Sequence, residues 1–192
     1  IYYRISISQD PAISGLDPNA LDVSTEYYMK LLDYEKQSGS ARYSNDALGQ
    51  IPFIVQTITI RAHDENAEKN YKAAGDDFVK VYEIKKNPAL GATASYDTTS
   101  YYYGGYMYTL AEEYDKAELI LLDVLNMGYD GFTFSAINAA SGNRETYPTR
   151  EMMEKRISQG LASDPEIGAS VRPDVYKALL QIYLAQKETD KF

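Results

Sequence analysis

His63 is the single histidine of the chain, and a general base or a serine triad would have to be built on it. No Gly-x-Ser-x-Gly elbow accompanies it. It stands near the polar end of a helical stretch, beside Arg61 and Asp64, and reads as a surface or interface residue. The chain has no cysteine, so disulfides, thiolate catalysis and thiolate metal sites are excluded together. Asp76-Asp77 and Glu112-Glu113 are adjacent acidic pairs. Neighbours on a helix point about 100° apart, so neither pair converges on one cation, and both read as solvated faces. Gly104-Gly105 and Gly128 follow no strand and precede no Lys-Ser/Thr, so they are not phosphate loops. No catalysis, metal or cofactor is expected.

Tyrosine is the unusual residue: there are 19, against no tryptophan. Six of them (Tyr96, Tyr101, Tyr102, Tyr103, Tyr106 and Tyr108) fall within thirteen residues. A tyrosine has an apolar ring and a polar tip, which suits half-buried seams and wet grooves alike.

The elements that must position these residues are mostly helices. Residues 1–9 read as the tail of a helix, and Asp10-Pro11 and Ser14-Gly15 as a loop. Asp17-Pro18 opens a helix with the stripe Leu21, Tyr28, Leu31 and Leu32, which ends at Ser38-Gly39-Ser40. A third helix covers roughly 44–66, with Ile51, Ile54, Val55, Ile58 and Ala62 on one face. Pro52 conflicts with it, and is expected near the first turns or at a kink. Asn70 to Lys86, residues 96–112 and Tyr114 to Met127 are three more helices, with Gly128 in the left-handed conformation after the last.

Residues 129–171 break this rhythm. Phe132 to Ile137 and Arg144 to Tyr147 alternate with period two around Ser141-Gly142-Asn143, which reads as a small β-hairpin or two extended arms. Thr149 caps a short helix through about Leu161. Ser163-Asp164-Pro165 and Gly168 read as loop. A last helix runs from Pro173 to about Lys187.

Composition bounds the class. A chain of 192 residues suits one domain or one short repeat array. The net charge of −9 repels phosphate backbones and anionic lipid surfaces, which speaks against nucleic acid. No run approaches the ~18 apolar residues that a membrane-spanning helix needs. The chain starts at Ile1 and stops at Phe192 in mid-pattern, so both ends read as cut from a longer array.

Two stretches superpose. Tyr101-Tyr-Tyr-Gly-Gly-Tyr-Met-Tyr108, then Glu113-Tyr-Asp-Lys-Ala117, Leu121 and Val124, lies over Tyr176-Lys-Ala-Leu-Leu-Gln-Ile-Tyr183 and Glu188-Thr189-Asp190-Lys191. In a helical hairpin, large residues on one helix need a small residue on the facing one. Gly105, Ala117 and Ala74 supply it, and hairpins that cannot bury their faces alone stack into a solenoid.

This pattern resembles the tetratricopeptide repeat. Tyr71 and Tyr114, at equivalent places, are 43 residues apart, longer than the usual repeat of about 34. Leu125-Asn-Met-Gly-Tyr-Asp-Gly131, the Gly142-Asn143 hairpin, the helix from Glu151 to Gln159 and Ser170-Val-Arg-Pro-Asp-Val-Tyr176 are similar to the exported tetratricopeptide proteins of Bacteroidetes.

The resemblance implies an all-α, right-handed superhelix of helical hairpins. Helix pairs would occupy 1–128 and a hairpin-and-helix insert 129–171, with the first helix of a further pair at 172–192, all one continuous domain. It also implies a periplasmic or otherwise exported location. In that family the face carrying Tyr102 and Tyr106, with Thr99 and Thr109, lines a concave groove. Asp174, Lys177 and Gln181 match on the last helix, and Gln56 and Thr59 on the third. The expected role is a non-catalytic scaffold that holds a protein or peptide. Glycan binding in a polysaccharide-uptake system is the alternative, and self-association through missing repeats is a further possibility. Asp97-Thr98-Thr99 also matches the short O-glycosylation acceptor of those bacteria.

Overall fold

A computed structural model describes residues 1–8 and 10–187. It is mostly helical with one small three-stranded sheet. Two compact units divide at Val124/Leu125, and each is described by itself.

In the first unit, α1 (Tyr2–Ser6) and α2 (Pro11–Ser14) precede four longer helices and most of a fifth. The stretch read as a loop at Asp10-Pro11 is therefore corrected to a short helix; Asp10 accepts the Ala12 N–H at 2.9 Å and starts the turn. α3 (Ala20–Ser38) ends on Gly39 at φ 69°, a left-handed residue that costs glycine nothing. α4 is Ser44–Ala67 and α5 is Tyr71–Lys86. After a 3₁₀ turn over Pro88–Thr93 come α6 (Thr98–Leu110) and α7 (Tyr114–Asn126), whose last two residues belong to the second unit.

Pro52 sits inside α4, exposed and two turns from its start. The helix runs on past it. The start of α4 is capped from outside: Glu35 of α3 accepts the Tyr43 N–H at 3.0 Å, the Ser44 N–H at 2.9 Å and the Ser44 hydroxyl at 2.7 Å. One carboxylate thus takes up donors that a helix start leaves orphaned.

The core is the apolar stripes facing inward. Ile51, Ile54 and Ile58 of α4 meet Leu21 and Leu32 of α3 and Val81 and Ile84 of α5. Ala62 of α4 and Ala74 and Phe78 of α5 form the next cluster, with Met107 of α6. Glycines set how closely α5, α6 and α7 approach. A Cβ on Gly104 would lie 2.6 Å from Val79 Cγ2, one on Gly105 2.8 Å from Ile120 Cγ2, and one on Gly75 3.0 Å from the Tyr108 ring. Each glycine meets a large residue on the facing helix.

The second unit holds a sheet of order β2-β1-β3, all antiparallel. β1 (Phe134–Asn138) and β2 (Arg144–Tyr147) form the expected hairpin. The loop expected at 163–168 is corrected to a third strand, β3 (Ala162–Ile167). It tolerates Pro165 because it is an edge strand, and because the ladder is irregular there, between the Ser135 and Ile137 pairings. Asp164 takes φ 50° at that irregularity. α8 (Arg150–Ser158) starts on Thr149, which accepts the Met152 N–H at 3.2 Å as its cap. It lays Met153 on Ala136 and Ala162. α9 (Arg172–Gln186) closes the unit, burying Val175, Ala178, Leu179, Ile182 and Tyr183. The repeat turn read at Glu188 to Lys191 lies outside the described residues.

Candidate functional site

α6 carries aromatic residues nearly all the way round, so its glycines decide which face is free. Gly104 and Gly105 point at α5 and α7. At about 100° per residue, the positions opposite their bisector are 99, 103, 106 and 110. Those four residues (Thr99, Tyr103, Tyr106 and Leu110) are the exposed stripe. Of the groove residues expected from sequence, Thr99 and Tyr106 lie on it. Tyr102 is only 7% exposed and Thr109 3%. The Thr109 hydroxyl donates to Gly105 O at 3.0 Å within its own helix. The free face is rotated from the expected one by about 50°, bringing in Tyr103 and Leu110.

The neighbouring wall is α4. Phe53, Gln56, Ile60 and His63 form its exposed stripe, while Thr59 is half-buried and donates to Val55 O at 2.8 Å. Phe78 of α5 lies beneath both walls, 3% exposed. Its ring meets His63 edge-on at 5.2 Å and Tyr103 at 5.5 Å. Tyr102 continues the series, 5.4 Å from Tyr103 and 6.3 Å from Tyr106. The result is an aromatic trough: a buried phenyl floor, His63 on one side, and Tyr103 and Tyr106 on the other. Residues 47–60 and 98–111 contain no charged residue, although both helices show an exposed stripe.

Asp174, Lys177 and Gln181 are exposed on α9 in the second unit, with Lys177 Nζ 3.1 Å from Asp174. They form a polar stripe of that unit alone.

The other chemistry-bearing residues have structural work. Tyr101 stacks on Tyr82 at 4.1 Å, and its hydroxyl faces Asp123 at 3.3 Å. Burial, then Asp123, push its pKa up to about 12. Tyr108 donates to Asp76 at 2.5 Å under the Lys116 ammonium. The reading of Asp76-Asp77 as a solvated pair is corrected at Asp77, which is 5% exposed. Arg61 grips it with Nε at 2.5 Å and Nη2 at 2.7 Å. The same guanidinium reaches Asp22 at 2.9 Å, and Lys80 reaches Asp22 at 2.7 Å. Asp97 of the Asp-Thr-Thr stretch is the α6 cap, accepting the Ser100 N–H at 3.0 Å and pairing with Lys85 at 2.7 Å.

Among the described residues, no three His, Asp or Glu side chains gather as metal ligands, and no helix is long and apolar enough to cross a membrane. An apolar depression of about 350 Å³ between α1 and α3 is lined by Tyr3, Tyr27, Tyr28 and Leu31. Its one hydroxyl-bearing aliphatic residue, Ser24, donates to Leu21 O and offers no reactive group. No family model, curated protein or solved structure matches this chain.

Proposed function

We propose that the chain is a non-catalytic scaffold that holds a peptide or protein partner on the α4–α6 face. The observation that carries this is the aromatic trough. A contiguous exposed apolar surface is expensive to keep in water, and a patch of this kind marks an interaction site. Tyrosine suits the role because its ring supplies contact area at low entropic cost while its hydroxyl stays wet.

A right-handed superhelix of tetratricopeptide-like pairs is the architecture we propose for the helical array. Its support is the succession of antiparallel helices α4 to α7, with Gly75, Gly104, Gly105 and Ala117 at the close approaches. In such an array α4 and α6 are the inner helices of successive pairs, so their free stripes share one concave surface. An exported, periplasmic location is proposed on the sequence resemblance alone.

The test is a pull-down from periplasmic and membrane extracts, with the chain and its Tyr103→Ala/Tyr106→Ala variant as baits. A protein retained by the first and lost by the second supports the reading. Identical retention by a variant with an unchanged circular dichroism spectrum overturns it. The solvent-facing rings of Tyr103 and Tyr106 also suit sugar stacking. Retardation in a polysaccharide gel that the variant loses would transfer the face to a glycan.

A further inference from the structure

Charge is distributed unevenly along the molecule. Residues 1–124 hold 19 of the 28 acidic residues and 11 of the 19 basic ones, so the first unit carries nearly all of the net −9. Most of its cations are already engaged: Lys30, Arg61, Lys72, Lys80, Lys85, Lys86 and Lys116 all pair with carboxylates of the same unit.

The trough has two chemically different ends. Gly75 against Tyr108, Gly104 against Val79 and Tyr82 against Tyr101 make α5 and α6 antiparallel. Ile51 near Ile84, and Ala62 near Ala74 and Phe78, do the same for α4 and α5. α4 and α6 are therefore parallel, and their C-termini emerge at the same end. Neither has a basic residue in its last turn. The N-terminus of α5, antiparallel to both, lies at this same end and offsets their dipoles, so the negative charge there comes from side chains. Asp64 and Glu68 are exposed at the end of α4, and Glu112 just past the end of α6. Of the cations at this end, Lys72 pairs with Asp76 and Lys116 with Asp76 and Glu113, and Lys69 is exposed beside Glu68. An uncharged aromatic face thus runs into an acidic end.

Tyrosine rings of this unit already take cations. Lys86 sits 4.7 Å from the Tyr82 ring centre, Lys116 4.8 Å from Tyr108 and Arg42 5.0 Å from Tyr43. A guanidinium over an aromatic face gains from the ring quadrupole, and more when it is partly desolvated.

Resting on the binding-face reading above, we propose that the occupant of the trough is an arginine- or lysine-bearing segment of a partner protein. Its cationic side chains stack on Tyr103 and Tyr106 and reach Asp64, Glu68 and Glu112 at the C-terminal end of α4 and α6. The charge complementarity also steers the encounter, so association weakens as salt rises.

The experiment is fluorescence anisotropy of the whole chain with two labelled synthetic peptides of alternating arginine and alanine. One is unchanged; in the other every arginine is replaced by citrulline, which keeps the shape and removes the charge. The arginine peptide is expected to bind at least tenfold more tightly. Tyr103→Ala/Tyr106→Ala should weaken it about tenfold, as the loss of two cation–ring contacts predicts. Asp64→Asn/Glu68→Gln/Glu112→Gln alters only exposed side chains and should flatten the salt dependence with the fold retained. No binding of the arginine peptide, equal binding of both peptides, or an unchanged salt dependence in the carboxamide variant overturns the proposal. If the pull-down still yields a partner that depends on Tyr103 and Tyr106, the scaffold reading stands and the cationic occupant alone has failed.

Discussion

The Phe78 ring lies 5.5 Å from that of Tyr103, tilted by 32°, and joins the buried core of α5 to the solvent-facing stripe of α6. One residue is almost wholly enclosed; the other is 42% exposed. Stability and binding should therefore separate at this pair. Phe78→Ala is expected to cost about 3–5 kcal/mol, as for other large-to-small core changes. Tyr103→Leu should cost only about 0.5–1.5 kcal/mol, the value of an aromatic pair beyond its area. Urea unfolding measures both. A Tyr103→Leu cost equal to that of Phe78→Ala would mean that Tyr103 is a core residue and the trough is not a free surface.

The α5–α6 seam makes a second prediction. Gly104→Ala places a methyl 2.6 Å from Val79 Cγ2 and should cost about 1–3 kcal/mol by overpacking. Val79→Ala in the same chain should recover most of that loss, because the clash is with one side chain. Gly49 is the control: it is inside α4 with nothing within 4 Å of an added Cβ, so Gly49→Ala should stabilise by about 0.5–1 kcal/mol. Thermal unfolding of the three variants checks this. If Gly104→Ala is harmless, glycine does not set the helix spacing.

The long helices are legible in the sequence because α3, α4, α5 and α7 repeat their apolar residues three and four apart, and a helix needs little else. The free face of α6 is harder to read. With tyrosine, methionine or leucine on every side, periodicity does not choose a face. The clue was the Gly104-Gly105 pair, which marks the buried side and so the opposite one. β3 is not legible because Ser163, Asp164 and Pro165 are turn formers, and only pairing with β1 makes them a strand. The burial of Asp77 is not legible because Arg61, its partner, lies sixteen positions away on another helix.

That partnership makes a third prediction. Arg61 hydrogen bonds raise its own pKa, Asp77 first, and tie α4 to α5 and, through Asp22, to α3. Arg61→Met would strand Asp77 as an unpaired buried charge near Glu65, at a cost of about 3–5 kcal/mol. Arg61→Met/Asp77→Leu should be much less destabilised than that, since both charges leave together. Lys80→Met, which removes a half-exposed partner of Asp22, should cost about 0–1 kcal/mol. Urea midpoints of the three variants decide it. A double variant no better than the single would show that Arg61 acts by packing and not by neutralising Asp77.

Acid should destabilise the first unit through carboxylates that the fold holds ionised. The Ser44 hydroxyl, outweighing burial and helped by the Tyr43 and Ser44 N–H groups, keeps the Glu35 pKa below the ordinary range. At Asp97 burial works upward, but the Lys85 ammonium and the Ser100 N–H outweigh it, and the net shift is downward. A carboxyl whose pKa is lower in the folded chain than in the unfolded one stabilises the fold fully above the unfolded value. That stabilisation drains away as pH falls through the folded value. Glu65 runs the other way. Burial, then Asp77, raise its pKa, and its Oε2 is buried without a partner. The fold is penalised while Glu65 is ionised, and the penalty disappears once pH is below the unfolded value. The unfolding midpoint should therefore fall between about pH 5 and pH 3, and fall less steeply in Asp97→Ala. Glu65→Gln should raise the midpoint near neutrality and leave it unchanged near pH 3. An equal gain at both pH values would show that the benefit comes from shape, and that ionised Glu65 does not strain the α4–α5 interface.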